Sequence, residues 1–234
     1  TTNFVAIDGG KWPPRQKTAR PGKGQSWKAF KRRYLPHKAW NRGLWALRGR
    51  PLPASGDVKQ GIVARYARKH GLRVFIETGT YEGEMVAEVQ KRFRTIHTIE
   101  IFEPLFRNAV EKFSGSSHIH VHHGSSEDLL PAILETVDEP ALFWLDAHYS
   151  GDGTGRGQVD SPIVKELQSI FAHPVRDHVI LIDDARQFLG KDGYPTLEEL
   201  RALVLGSRPG AAFEVKDDII RIYAQPRRAG TMKG

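Results

Sequence analysis

Between Leu72 and Ala224, short apolar runs alternate with stretches of helical periodicity, and that alternation restricts the chain to one fold class. The runs are Leu72–Thr78, Ile96–Ile101, His118–His123, Ala141–Asp146 and His178–Asp183, followed by Ala212–Lys216 and Ile219–Ala224. Strand-sized runs separated by helix-sized segments predict parallel strands, because a parallel pair needs a long crossover where an antiparallel pair needs only a turn. The last two runs are separated by Asp217-Asp218 alone, which makes them a tight hairpin and the final strand antiparallel. The expectation is one α/β domain with seven strands. Helices are expected from Asp57 to His70, Glu84 to Phe93, Pro104 to Phe113, Ser125 to Val137, Ser161 to Ala172 and Thr196 to Leu205. Asp57 is expected to cap the first, Ser125–Asp128 reads as a capping box, and Thr196-Leu-Glu-Glu is expected to cap the last.

The first strand runs straight into a glycine turn, Val74-Phe-Ile-Glu-Thr-Gly-Thr-Tyr-Glu-Gly83. Strand, glycine turn and helix together form a recipe for holding a nucleotide-like cofactor, since glycine lets backbone approach ligand and the helix N-terminus offers free N–H groups. Three residues separate Gly79 from Gly83, which is not the G-x-G-x-x-G spacing of dinucleotide folds. Glu100 ends the second strand about twenty residues later, where a carboxylate would accept both hydroxyls of a ribose.

Three further acids end strands. Asp146 closes the fourth run, and Asp183-Asp184 closes the fifth. In an open parallel sheet these ends are neighbours on the ligand side, and three converging carboxylates repel one another unless a cation sits among them. All-oxygen donors suit Mg²⁺, Mn²⁺ or Ca²⁺. His148 lies two residues beyond Asp146 and is a candidate general base, with Asp146 itself the other. The segment Ser150 to Asp160 carries four glycines and reads as a lid. His118, His120 and His122 alternate along the third run and are expected on the solvent face of an edge strand, with Ile119 and Val121 turned inward.

The net charge of +8 is unevenly placed. Residues 1–50 hold thirteen Lys or Arg against one acid, Asp8, and four of the five tryptophans, so the basic character belongs to that segment. The expected organisation is a basic, Trp-rich extension or cap over 1–50, the main domain over 51–226, and a tail over 227–234. Cysteine is absent, which excludes disulfides and thiolate chemistry. No apolar run reaches the roughly 18 residues of a membrane span and no secretory signal is visible, so a cytoplasmic location is expected.

These residues resemble the class I S-adenosylmethionine-dependent methyltransferases, and most closely the metal-dependent O-methyltransferases typified by catechol O-methyltransferase, over about Asp57 to Ala224. Glu77-Thr-Gly79-Thr-Tyr81-Glu-Gly83 is similar to that family's cofactor turn, Thr98-Ile-Glu100 to its ribose strand, and Gly124-Ser125-Ser126-Glu-Asp-Leu-Leu-Pro to the segment beside the adenine. Leu145-Asp146 and Asp183-Asp184 match its metal-binding acids. The resemblance implies a Rossmann-like sheet in the order 3-2-1-4-5-7-6. It also implies S-adenosylmethionine on Glu77, Gly79, Tyr81, Gly83, Glu100, Ser125, Ser126 and Asp146, and Mg²⁺ on Asp146, Asp183 and Asp184. Three positions depart from the pattern. Asp184 stands where the family has Asn, as in sugar O-methyltransferases of antibiotic biosynthesis; Met85 replaces a serine; and Tyr149 occupies the place of the catechol enzymes' lysine base.

The expected activity is therefore O-methylation of a small-molecule or sugar hydroxyl, in a chain that can form a homo-oligomer. Two alternatives remain: a nucleic-acid methyltransferase using the basic arm, and a cofactor-binding partner module without turnover. No Asn-Pro-Pro-Tyr motif is present, which speaks against base N-methylation.

Overall fold

The structure is a computed structural model that describes residues 38, 41–146 and 161–225. The chain divides into two units, Thr1–Asn41 and Arg42–Gly234. In the second, α1 (Gly56–His70), β1 (Val74–Thr78), α2 (Glu84–Val89), β2 (Thr95–Glu100), α3 (Glu103–Phe113), β3 (Ile119–His123) and α4 (Ser126–Leu134) come first. They are followed by β4 (Ala141–Leu145), α5 (Ile163–Ala172), β5 (Val179–Ile182), α6 (Leu197–Ser207), β6 (Ala211–Lys216) and β7 (Ile219–Ala224). The seven strands form one sheet in the order β3-β2-β1-β4-β5-β7-β6, as expected. β1 to β5 are parallel neighbours, and β7 runs antiparallel to both β5 and β6.

The central strands β1, β4 and β5 are buried along their whole length because helices cover both faces. Their side chains alternate between two cores. Val74, Ile76, Phe143, Leu145, Ile180 and Ile182 face the layer of α4, α5 and α6. Phe75, Leu142, Trp144, Val179 and Leu181 face the layer of α1, α2 and α3. Each fully buried side chain of this size contributes roughly 1.5–3 kcal/mol, so register is fixed by both faces at once.

Helix ends differ in detail from the expectation. Ser55 takes the N-cap position of α1, and Asp57 lies in its first turn. Ser125 is the N-cap of α4 but makes no capping bond, so the box expected at Ser125–Asp128 is not formed; Glu127 turns inward and pairs with Lys165 of α5 at 2.8 Å. The box at Thr196 and Glu199 is present in both directions. α2 stops at Val89 and tightens into a 3₁₀ turn, Gln90–Arg92, before reaching Phe93. The hairpin turn is real: Asp217 and Asp218 have φ of 57° and 63°, the left-handed pair that a two-residue hairpin of this type requires.

The histidines of β3 are not simply solvated. Ile119 and Val121 pack inward as expected. His120 and His122, however, stack against the buried His97 of β2 at ring distances of 4.9 and 5.3 Å, and His97 Nδ1 shares a 3.0 Å hydrogen bond with His122 Nε2. Within the second unit, Trp45 packs against the α1–α3 core and donates its indole N–H to Pro51 O at 2.9 Å. No described helix is long and apolar enough to cross a membrane.

Candidate active site

Hydrogen bonding between strands continues past the strand ends, and this aligns the chemistry-bearing residues. Gly124 N donates to Glu100 O (3.0 Å), Gly79 N and Thr80 N both donate to Ile99 O (3.0 and 3.1 Å), Asp146 N donates to Thr78 O (3.0 Å), and Asp183 N donates to Leu145 O (3.0 Å). Glycine turn, Glu100, Asp146 and Asp183 are thereby set along one edge of the sheet, at the C-terminal ends of β1, β2, β4 and β5. That edge is where open α/β sheets bind ligands.

The turn needs its glycines. Gly79 and Gly83 have φ of 83° and 66°, and Tyr81 between them is also left-handed at 49°. A Cβ on Gly83 would lie 2.9 Å from the Phe113 ring. The turn's conformation points the Tyr81 N–H at Glu100, whose Oε2 accepts it at 2.8 Å, while Oε1 accepts from Phe102 N at 2.9 Å. Two backbone donors thus fix the carboxylate plane and leave further lone pairs for a diol. Tyr81 itself is 43% exposed, at the open side of the turn.

Beneath the turn lies Glu77, 2% exposed. Its Oε2 accepts from Thr98 Oγ1 at 2.7 Å, and Thr98 Oγ1 is 2.5 Å from Thr80 Oγ1. Burial pushes its carboxyl up to about 8, with Asp146 and Glu100 adding to the rise against the Thr98 bond. Ser125 and Ser126 begin α4 beside the end of β3; Ser126 is buried next to Glu166 of α5, whose carboxyl burial raises to about 7.

Carboxylate oxygens of Asp146, Asp183 and Asp184 lie within 4.8 Å of one another. Asp183 is pushed up to about 7 by burial and then by Asp146, with Lys59 working against the rise. Its Oδ1 accepts from Asp184 N at 2.9 Å, and its Oδ2 is ion-paired with Lys59. Asp184 sits at φ 55°, in the left-handed region that aspartate enters more readily than most residues. It accepts from Arg186 Nη1 at 2.7 Å and from Gln187 Nε2 at 3.1 Å, and lies 3.4 Å from Lys59 Nζ. Arg186 also pairs with Asp218 of the β6–β7 turn, whose Oδ1 accepts Arg186 N at 2.9 Å. The donor set is three hard carboxylates, the set a Mg²⁺-type ion takes, so these residues fit such an ion. His148 and the lid segment 150–160 lie outside the described residues.

Two groups at this site were not anticipated. Lys59 reaches the acids from α1, and burial alone would lower its pKa, but Asp183 and Asp184 outweigh that and raise it. Arg186 follows the Asp183-Asp184 pair by two residues and could have been suspected from that spacing; Lys59 is 124 residues from its partner and gives no local signal.

No family model and no curated protein matches the sequence. Solved structures do. The O-methyltransferase TomG from Streptomyces achromogenes, involved in tomaymycin synthesis and bound to S-adenosylmethionine, superposes with a TM-score of 0.55 at 15% identity, over 83% of this chain and 99% of its own. An O-methyltransferase from Bacillus cereus with S-adenosylhomocysteine gives 0.53 at 14% identity, over 84% and 98%. The Podospora anserina methyltransferase PaMTH1, also with S-adenosylhomocysteine, gives 0.51 at 16%, over 90% and 100%. The chain has the methyltransferase fold. On that methyltransferase fold, the expected cofactor turn, ribose acid and acid cluster lie on the edge where its strands end.

Proposed function

We propose that the protein is an S-adenosylmethionine-dependent O-methyltransferase acting on a hydroxyl of a small molecule or sugar, with a divalent cation at Asp146, Asp183 and Asp184. The observation that carries this reading is Glu100, a carboxylate aimed by two backbone N–H groups beside a left-handed glycine turn, with the acid cluster two strands away on the same edge. Glu100 would accept the ribose hydroxyls. The Gly79–Gly83 turn would carry the methionine end of the cofactor, with Ser125 and Ser126 beside its adenine. Buried Glu77 would face the cationic part of the cofactor. His148, or Asp146, would take the acceptor's proton.

A Mg²⁺-type ion held by the three aspartates would supply charge that lowers the acceptor hydroxyl's pKa and orients its oxygen. The chain's own part is to hold that oxygen in line with the methyl donor and to exclude water. The basic character of residues 1–50 is the feature that favours a nucleic-acid acceptor instead. The deciding experiment measures S-adenosylmethionine binding by calorimetry and then methyl transfer to diol, sugar and RNA acceptors, with Mg²⁺ and with EDTA. Transfer to a diol or sugar that EDTA abolishes is the expected result. Undiminished transfer in EDTA removes the cation from the reading; transfer to RNA alone, with steep salt dependence, replaces it.

A further inference from the structure

Lys59 is placed where α1's own stability does not want it. It lies in the opening turns of α1, where the helix dipole disfavours a cation. Its neighbours Val58, Ile62 and Val63 are buried and hold that part of the helix against the sheet, and Gln60 ties it to α2 through a 3.3 Å bond to Glu84 O. The root of Lys59 is therefore fixed. Its side chain is 18% exposed, and its ammonium ends on the Asp183 carboxylate, which is 1% exposed, with Asp184 Oδ1 at 3.4 Å.

We propose that the Lys59 ammonium is the resident cation of the Asp146–Asp183–Asp184 cluster, and that a divalent ion enters only by displacing it, so that Lys59 sets the affinity of the site. The proposal rests on the reading of this cluster as a divalent-cation site. The placing of the cations supports it. Arg186 already offsets one of the three aspartates through Asp184. Arg186 is shared with Asp218 and does not reach Asp183, and Lys59 Nζ is the cation that contacts both Asp183 Oδ2 and Asp184 Oδ1, two of the three acids whose oxygens lie within 4.8 Å of one another. Geometry supports it too: Asp183 Oδ1 already accepts from Asp184 N and Oδ2 accepts from Lys59, so an ion that takes Oδ2 competes with the ammonium for it. A lysine of this kind keeps the acids apart and ordered when no metal is bound, and discriminates against ions that bind too weakly to expel it.

The test uses Mn²⁺ as probe on the full chain, read by the electron paramagnetic resonance signal of the free ion. Lys59→Met is expected to bind Mn²⁺ at least about tenfold more tightly than the wild type, Lys59→Arg to stay close to wild type, and Asp183→Asn to abolish the gain. Because Lys59→Met could misfold with the buried Asp183 stripped of its counterion, the wild type provides a second reading. Acylation of Lys59, followed by peptide mass spectrometry, is expected to rise severalfold when Mn²⁺ is added, while surface Lys191 and Lys216 stay unchanged. Wild type and Lys59→Met binding Mn²⁺ equally well, with unchanged acylation, overturns the displacement and leaves the cation site standing. Neither protein holding Mn²⁺, while both bind S-adenosylmethionine, overturns the cation site and the displacement together but not the cofactor reading.

Discussion

The backbone N–H of Tyr81 donates to Glu100 Oε2 at 2.8 Å, joining the glycine turn after β1 to the last residue of β2. The turn that would carry the cofactor's methionine end and the acid that would hold its ribose are thus one hydrogen-bonded unit. Glu100→Gln keeps the shape and one acceptor but removes the charge. A charge-assisted hydrogen bond contributes about 1.5–3 kcal/mol, so S-adenosylmethionine affinity should fall by one to two orders of magnitude; the amide nitrogen also faces a backbone N–H that a carboxylate oxygen now accepts, so the melting temperature should fall as well. Calorimetry of the variant checks this; unchanged affinity would show that the ribose is held elsewhere.

Gly83→Ala tests the turn from its other end. At φ 66° an alanine is strained, and its Cβ would meet the Phe113 ring at 2.9 Å. The expected cost is about 1–3 kcal/mol, seen as a lower denaturation midpoint, together with weakened cofactor binding. Gly115, where a Cβ meets nothing within 4 Å, serves as the control position.

Glu77 predicts a proton linkage. Its carboxyl is raised to about 8, so near neutral pH the folded protein carries a proton there. A cationic cofactor favours the ionised form. Binding should release up to one proton below pH 8, and affinity should rise as pH climbs towards that value. Calorimetric enthalpies measured in two buffers of different ionisation heat give the proton count directly, and Glu77→Gln should bring it close to zero. A wild type that releases no proton contradicts the assignment.

His178 predicts the acid side. Its Nδ1 accepts the Ala141 N–H at 3.0 Å, and burial, then His173 and Arg208, push its pKa down to about 4. The folded value lies below the ordinary one, so the stability it contributes is full above about pH 6.5 and is lost as pH falls towards 4. His178→Asn keeps an acceptor near Ala141 and does not titrate. Relative to wild type, the variant should therefore gain stability between pH 6.5 and 4, by at most about 3 kcal/mol. Urea melts at the two pH values measure this, and a difference that stays constant with pH rules it out.

The sheet was legible because its central strands are buried on both faces and so read as unbroken apolar runs; Val74–Thr78, Ala141–Leu145 and Val179–Ile182 show this best. Glu100, Asp146 and Asp183 were legible for the same reason, since an acid ending such a run must sit at the sheet's edge. The failed capping box at Ser125 shows where local pattern loses. Glu127, in the same turn, is buried and pairs with Lys165 of α5, a contact across the helix layer of which local pattern carries no trace. The stacked His97, His120 and His122 were missed because alternation along β3 says nothing of what β2 offers beside it. Lys59 and Arg186 belong to networks closed by tertiary contact, and periodicity carries no trace of those.

The Asp217-Asp218 turn joins the last two strands in the smallest way a chain can reverse, and through Arg186 it reaches Asp184. The reach of that turn is therefore a dimension of the acid cluster. One residue added there would shift the anchor of Arg186 and loosen an aspartate more than thirty positions earlier in the chain. The loop separating β6 from β7 thus helps to set where Asp184 stands, although neither of its two residues belongs to the acid cluster.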